Sequence, residues 1–313
     1  MSLPRITVVI PTRGRREWAS RAARAVLAND YPNFRVVLVD QTADPLPTGL
    51  LPTDERFRYL QSPTAGISAA RNAGVANCPD AIVAHTDDDC EAPIDWLSGI
   101  ASAFARHPEV DLMFGEVDAG PTRNGGFIPS YHVREETTAN RLESKHRIEG
   151  IGACMAYRLS LWESLEGFDE ALGAGGELHS AEEVDFTNRA LAAGQTVMVT
   201  KAFRVIHHGF RTWESQDDLL SGHLFGIGAS AAKQVKQGSL QFCIVLARLA
   251  FRWAFGTPVV DFGRPPARLP RLRAFLRGFS AGWARPLDGR AHFETGAVSR
   301  PAAQVRIVTK DSN

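Results

Sequence analysis

What most constrains this 313-residue chain is an alternation. Short, continuously apolar runs rich in β-branched residues recur, and Ala-rich or amphipathic segments separate them by a few residues each. Ile6–Ile10, Phe34–Val39, Phe57–Leu60, Ala81–Ala84 and Val110–Val117 read as strands, the first stopped by Pro11. Between them, Glu17–Ala28 and Ser68–Ala76 read as helices, and Pro93 marks the start of a third that carries Trp96, Leu97, Ile100, Ala103 and Phe104 at helical spacing. Strand, helix, strand with short links requires crossover connections. That predicts an α/β fold with a Rossmann-like, mostly parallel central sheet flanked by helices. Ligands of such sheets bind at the carboxyl ends of strands. Here those ends carry Pro11-Thr12-Arg13, Asp40 and Asp87-Asp88-Asp89.

Beyond the first 117 residues the pattern loosens. Residues 118–149 are polar and read as a long loop. Ile151–Tyr157 reads as a strand and Ser160–Leu165 as a helix. A mobile Gly-rich stretch (Gly173, Gly175, Gly176) precedes a helix over Glu183–Ala193 that Gly194 closes. Thr196–Val199 and Val205–Ile206 read as two short strands. From Ser215 the chain turns helical, through apolar Phe242–Phe255 with its polar stripe of Gln241, Arg248 and Arg252. Arg264, Arg268, Arg271, Arg273 and Arg277 follow, interleaved with Leu and Phe, and 296–313 read as a flexible tail.

Composition narrows the class. The 44% hydrophobic content excludes a disordered chain, and 35 Lys plus Arg against 35 Asp plus Glu excludes a globally basic nucleic-acid binder. The balance is a cancellation, because residues 1–210 hold 20 basic and 28 acidic side chains while residues 211–313 hold 15 and 7. The start of the chain lacks a cleavable signal pattern, and Arg248 and Arg252 interrupt its most apolar stretch. Cys78, Cys90, Cys154 and Cys243 are widely spaced, as in a reducing compartment. These features lead us to expect a cytoplasmic protein.

Three clusters carry chemistry. Consecutive carboxylates at Asp87-Asp88-Asp89 repel unless a cation joins them. In an extended segment Asp87 and Asp89 share a side, and hard oxygen ligands suit Mg²⁺ or Mn²⁺. A solvated acidic turn is the plainer alternative. His207-His208 follows a strand, so at most one imidazole should reach a given site, and one beside an Asp would favour Mn²⁺. Zinc is not expected, since no Cys or further His stands at chelating spacing. Glu182, Glu183 and Asp185 open a helix, where acids suit the positive end, or else one of them serves as a base. Arg71 at another helix start could fork a phosphate or pair with a surface carboxylate.

Taken in order, VVIPTRGR, VVLVDQTAD, GISAARNAG, HTDDDCEAPIDWL, GACMAYR, GFDEALG, EEVDFTNRALAAG and VIHHG resemble the motifs of family-2 glycosyltransferases of GT-A fold, over about residues 5–210. The resemblance implies a metal-dependent inverting transfer from a nucleotide-diphosphate sugar to a hydroxyl acceptor, a glycan or lipid-linked saccharide. It implies that Pro11, Thr12, Arg13 and Asp40 hold the nucleoside, that Arg71 lies near the phosphates, and that Asp87 and Asp88 lie with the donor. Asp89 is then the direct metal ligand with Asp87 beside it, joined by His207 or, second, His208. The base is Glu183, with Glu182 and then Asp185 as alternatives. Asp40-Gln41-Thr42 departs from the common Asp-Asp-Gly-Ser, and Glu182-Glu183 from the common Glu-Asp. The Q-x-x-R-W motif of processive synthases is missing, which implies single transfers. A catalytically degenerate binding or scaffold module is the non-enzymatic alternative. Residues 1–214 are expected to form the catalytic domain, with a nucleotide-sugar half to about 117 and an acceptor half beyond. Residues 215–295 would form a basic helical extension, lying on an anionic membrane surface or packed on the catalytic domain.

Overall fold

The structure, a computed structural model, describes residues 3–62, 64–77, 79–122, 124–239, 241–242, 244–246, 248 and 268–295. Arg264, most of the 242–255 stretch, Cys78, Cys243 and the 296–313 tail lie outside the described residues.

The expected alternation forms β1 (Ile6–Thr12), α1 (Arg16–Leu27), β2 (Phe34–Asp40), β3 (Phe57–Gln61), α2 (Ile67–Asn77) and β4 (Ile82–His85). Then come β5 (Cys90–Glu91), α3 (Trp96–Arg106) and β6 (Leu112–Ala119). β1 is buried at every position, so helices cover both faces, which is why its sequence is a continuous apolar run rather than an alternating one. It continues through Pro11 instead of stopping there. The Thr12 carbonyl accepts from Gln41 N–H on the β2 side, so Pro11 faces the β4 side, where pairing ends at Val9↔His85 and no donor is needed. α3 starts three residues after Pro93, at Trp96.

The second half supplies β7 (Gly126–Phe127), β8 (Thr137–Ala139), β9 (Met155–Arg158), α4 (Leu159–Ser164), α5 (Glu182–Ala192), β10 (Val197–His207) and β11 (Arg211–Thr212). The supposed loop 118–149 thus holds two short strands and a 3-10 turn at Leu142–Arg147. Ile151–Tyr157 divides into a 3-10 turn at Gly152–Cys154 and then β9. The two strands expected at 196–206 are one, with an irregularity between Val199 and Arg204 that interrupts its pairing with β6. The sheet order is β3-β2-β1-β4-β9-β6-β10-β5, with β8 also on β10. β9 runs antiparallel between β4 and β6, so the sheet is mixed. The chain steps outward from β1 to β2 and β3, then returns to β4 on the other flank of β1. The carboxyl ends of β1 and β4 therefore meet at a topological switch point.

Among its described residues the basic extension forms α6 (Gln216–Lys236) and α7 (Arg268–Ala284), packed on each other and on the α/β part of the molecule. Their backbones touch through glycine. A Cβ on Gly228 would stand 2.1 Å from the Phe275 carbonyl oxygen, and one on Gly278 1.9 Å from that of Phe225. α6 is pinned inward by Lys233, whose Nζ is fully buried and lies 2.9 Å from Asp185 Oδ1 and in contact with Asp169. The backbone N–H of Phe293 donates to the same Asp169 at 2.8 Å. Ala231 of α6 and Phe275 of α7 belong to the same hydrophobic core as β1.

Candidate active site

At the switch point Thr12 ends β1, and its hydroxyl donates to Asp88 Oδ2 at 2.7 Å. Arg15, in the loop before α1, meets Asp88 at 2.6 Å and Asp89 at 2.5 Å. The aspartate triplet is not extended as expected. The Cys90 N–H returns to the Asp87 carbonyl at 3.1 Å, a turn that brings Asp88 and Asp89 onto one guanidinium while Asp87 faces Arg71 at 3.5 Å. Sequence reading missed Arg15. Its proximity to Arg13 and Arg16 was visible, but which of the three faces the acids depends on the tertiary turn. Arg13 is exposed, and Arg16 pairs with Asp44 at 3.2 Å.

Of the two histidines, His207 is the one brought to this cluster. Its Nε2 lies 3.3 Å from Asp89 Oδ1, and its Nδ1 donates to the Pro129 carbonyl at 3.0 Å. A carbonyl only accepts, so Nδ1 carries a proton; Nε2 donates to Asp89 only in the doubly protonated ring, and in the neutral ring its lone pair is left for an ion. His208 points away, with Nε2 3.1 Å from Glu91 and its ring 5.6 Å from Trp18, which corrects its candidacy as a ligand. Burial would raise the Asp89 pKa, but the hydrogen bonds and charges of His207 and Arg15 hold it well below the usual carboxylate range. Burial prevails at Asp88, pushed up to about 6, and raises Asp87. His207 titrates above its usual value, because Asp89 outweighs the effect of burial.

Asp89, Cys90 and His207 have ligand atoms all within 4.8 Å of one another. The thiol stands beside the acid and imidazole, although the sequence shows no Cys at chelating spacing. Burial drives the Cys90 pKa well up, so it stays a thiol and a poor ligand for a hard cation. The space between the other two is kept open by Gly209. A Cβ there would lie 2.5 Å from His207 Nε2 and 2.7 Å from Asp89 Oδ2. An anionic oxygen and an oriented imidazole nitrogen fit Mn²⁺ or Mg²⁺, and the imidazole favours Mn²⁺. Next to Asp89 opens a groove of about 640 Å³, lined by Arg15, Trp18, Arg21, His208, Phe210 and Arg211 among others.

On the other side of Asp87 stands the base candidate. Arg71 on α2 is 1% exposed, so it is neither a surface residue nor free. Its Nη1 donates to Glu182 Oε1 at 2.8 Å, and its guanidinium lies 5.7 Å from the Phe168 ring centroid. Burial, then the neighbouring Glu183, push Glu182 up to about 7. Glu183 is partly exposed, and burial raises its pKa too. Ala181, just before them, adopts a left-handed φ of 72°, a strained entry to α5. The Gly-rich stretch before it is tied down rather than loose: the Leu172 carbonyl accepts from Ser68 Oγ at 2.7 Å and the Ala174 carbonyl from Ile67 N–H at 2.9 Å.

Two expectations are corrected. Asp185 cannot serve as a base. It is fully buried on the far side of the same turn, paired with Arg189 at 2.8 Å and with Lys233, which hold its pKa down to about 2. Asp40 is likewise turned inward. It is fully buried and accepts from Tyr59 Oη at 2.6 Å and from Thr42 N–H at 2.9 Å, so it shapes the β2 end rather than presenting a carboxylate there. Pro11 is buried within β1.

The sequence model of the glycosyl transferase family 2 matches residues 7–165, half of the chain, and spans β1, α2, the aspartate turn and β9. The chain belongs to glycosyl transferase family 2. Its relatives include an uncharacterized glycosyltransferase of Rickettsia felis, 32% identical over 88 residues, 27% of this chain and 15% of that protein. A glucosyl-dolichyl phosphate glucuronosyltransferase of Haloferax volcanii is 24% identical over 218 residues, 66% of this chain and 70% of that one. The chain thus spans less than a sixth of the Rickettsia protein. Among solved structures, the mannosyltransferase PcManGT of Pyrobaculum calidifontis, determined with GDP-Man and Mn²⁺, superposes with a TM-score of 0.58 at 16% identity. That match covers 93% of this chain and 78% of that one, and it places this family-2 chain in the GT-A fold.

Proposed function

We propose that this family-2 glycosyltransferase is a metal-dependent, inverting, single-transfer enzyme that moves a sugar from a nucleotide-diphosphate donor to a hydroxyl of a glycan or lipid-linked saccharide. The observation that carries the reading is Arg71. One buried guanidinium separates the metal-side acid Asp87, at 3.5 Å, from the base-side acid Glu182, at 2.8 Å. Donor phosphates and an acceptor hydroxyl can therefore meet across it.

Asp89 and His207 would hold the cation, with Asp87 beside them. Bound there, a divalent cation neutralises the diphosphate and makes it a competent leaving group. Thr12, Arg13 and Arg15 line the donor side, and the arginines of the Asp89 groove complement an anionic ligand. Glu183, partly exposed and with a raised pKa, accepts the acceptor proton as that oxygen attacks the anomeric carbon. Glu182 holds Arg71 and is its alternative as base. One displacement with one base inverts the anomeric centre. Two likenesses support the donor and acceptor classes: the solved neighbour binds GDP-Man with Mn²⁺, and the curated relative is named for a dolichyl-phosphate-linked acceptor.

A thermal-shift screen of UDP-, GDP- and dTDP-sugars with and without Mn²⁺ tests the reading. A saturating donor, at about a hundred times its dissociation constant, should stabilise the fold by about 2.7 kcal/mol, and only with metal. No stabilisation by any nucleotide sugar in the presence of Mn²⁺ would overturn it.

A further inference from the structure

α7 buries one face and leaves another uncovered among the described residues. The buried face is built of small residues, Ala274, Gly278 and Gly282 beside Phe275, and lies against α6. Away from it, Leu272, Leu276 and Trp283 are 47%, 54% and 52% exposed. At 100° per residue these three fall within about 40° of arc. Phe279, half-buried at the edge of the stripe, stacks on Trp283 with centroids 6.1 Å apart. Arg273 and Arg277, both exposed, stand one turn apart on the adjoining flank, and the 17 residues of α7 include no Asp or Glu. Ile244, 47% exposed, adds a further large apolar side chain in the segment before α7.

We propose that this face of α7 docks on an anionic lipid surface. A contiguous row of Leu, Leu and Trp on a water-facing helix is unfavourable unless something apolar covers it. The charge beside it selects the cover. An arginine flank on a helix that carries no acid of its own is attracted to anionic headgroups, while Leu and Trp sink into the boundary beneath them. Among the described residues no helix is long and apolar enough to cross a membrane, so the contact is interfacial. The face is joined to α6 and to the loop before α5. Arg285, just past α7, pairs with Glu177 in the loop that leads to Glu182 and Glu183, and Lys236 of α6 donates to the Trp283 carbonyl at 3.2 Å. Docking would thus hold the catalytic loop in a set orientation to the lipid.

Flotation of the full chain with phosphatidylglycerol–phosphatidylcholine vesicles, and with phosphatidylcholine alone, tests the proposal. The protein should float with the anionic vesicles, less so at high salt, and remain below with the neutral ones. Leu272→Ser/Leu276→Ser/Trp283→Ser should lower the bound fraction by about tenfold or more, and so should Arg273→Gln/Arg277→Gln. The charge variant leaves the stripe intact, so it reads the surface even if the triple variant folds poorly. The proposal fails if the parent chain does not float, if it binds neutral vesicles equally, or if both variants bind as before. It fails equally if light scattering shows a dimer that the triple variant dissolves, because a second copy then covers the face. Mn²⁺-dependent donor binding should be the same in all variants, so loss of this proposal leaves the glycosyltransferase reading untouched.

Discussion

Lys233→Met is the most searching perturbation of this architecture. The ammonium is fully buried between two fully buried carboxylates, in contact with Asp169 and 2.9 Å from Asp185. Asp185 would keep Arg189 at 2.8 Å, but Asp169 would be left with backbone donors alone, Ala171 N–H at 3.0 Å and Phe293 N–H at 2.8 Å. Methionine fills most of the lysine's volume, so the change is mainly electrostatic. Removing one partner of a buried pair typically costs about 3–5 kcal/mol. That would be a large share of the 5–15 kcal/mol typical of a folded domain. Urea unfolding at neutral pH, followed by circular dichroism, should show this loss in ΔG at an unchanged m-value. Adding Asp169→Asn removes the stranded charge and keeps an acceptor for one of the two N–H groups, which donate to separate carboxylate oxygens, so the double variant should recover part of the loss. A cost below about 1 kcal/mol for Lys233→Met, or no recovery in the double variant, would refute the claim that this cluster is closed and that it welds α6 to α5. The claim matters for function, since Asp185 lies on the turn that carries Glu182 and Glu183.

Glu183→Gln should lower transfer by about 10²–10⁴-fold while leaving donor binding in calorimetry intact; unchanged turnover would shift the base to Glu182. Glu182→Gln should instead change the pH dependence of stability. The folded pKa of Glu182 is raised to about 7 from 4.5, so the folded state holds the extra proton between those values and stability falls as pH rises through that window. The variant should flatten that decline by on the order of 3 kcal/mol in urea titrations from pH 4 to 8, and an unchanged slope would remove Glu182 from its buried place. Gly209→Ala inserts a methyl 2.5 Å from His207 Nε2 and 2.7 Å from Asp89 Oδ2. It should abolish the Mn²⁺-dependent part of the donor-induced thermal shift, and a full shift would place the cation elsewhere.

The first half of the fold was legible because its signal is local. A strand buried on both faces, such as Val8–Ile10, has to be continuously apolar, and a crossover helix has to be amphipathic. The second half was harder to read. β10 is a single strand interrupted by an irregularity, and β9 is inserted antiparallel, so neither leaves a clean period in the sequence. In the site, residue types were legible and partners were not. Consecutive histidines must diverge in a strand, but nothing in the sequence says which one meets Asp89. Glu182, Glu183 and Asp185 share one helical turn, yet Arg71 takes the first and Lys233 and Arg189 take the last. Cys90 and Arg15 were overlooked because their relevance depends on a turn at Asp88 and on the approach of β10 from more than a hundred residues away.

By itself, the sequence determined the layer architecture, the edge of the sheet where chemistry could occur and the family to which the chain belongs. These follow from hydrophobic periodicity and from polar residues placed at strand ends. The tertiary structure alone decided which partner each acid meets: Asp185 and Asp40 are turned inward and spent on packing, Asp89 faces Arg15 and His207, and Glu183 stays partly exposed. The reason is that a carboxylate's role depends on its burial and on the charge opposite it, and both are supplied by segments distant in the chain.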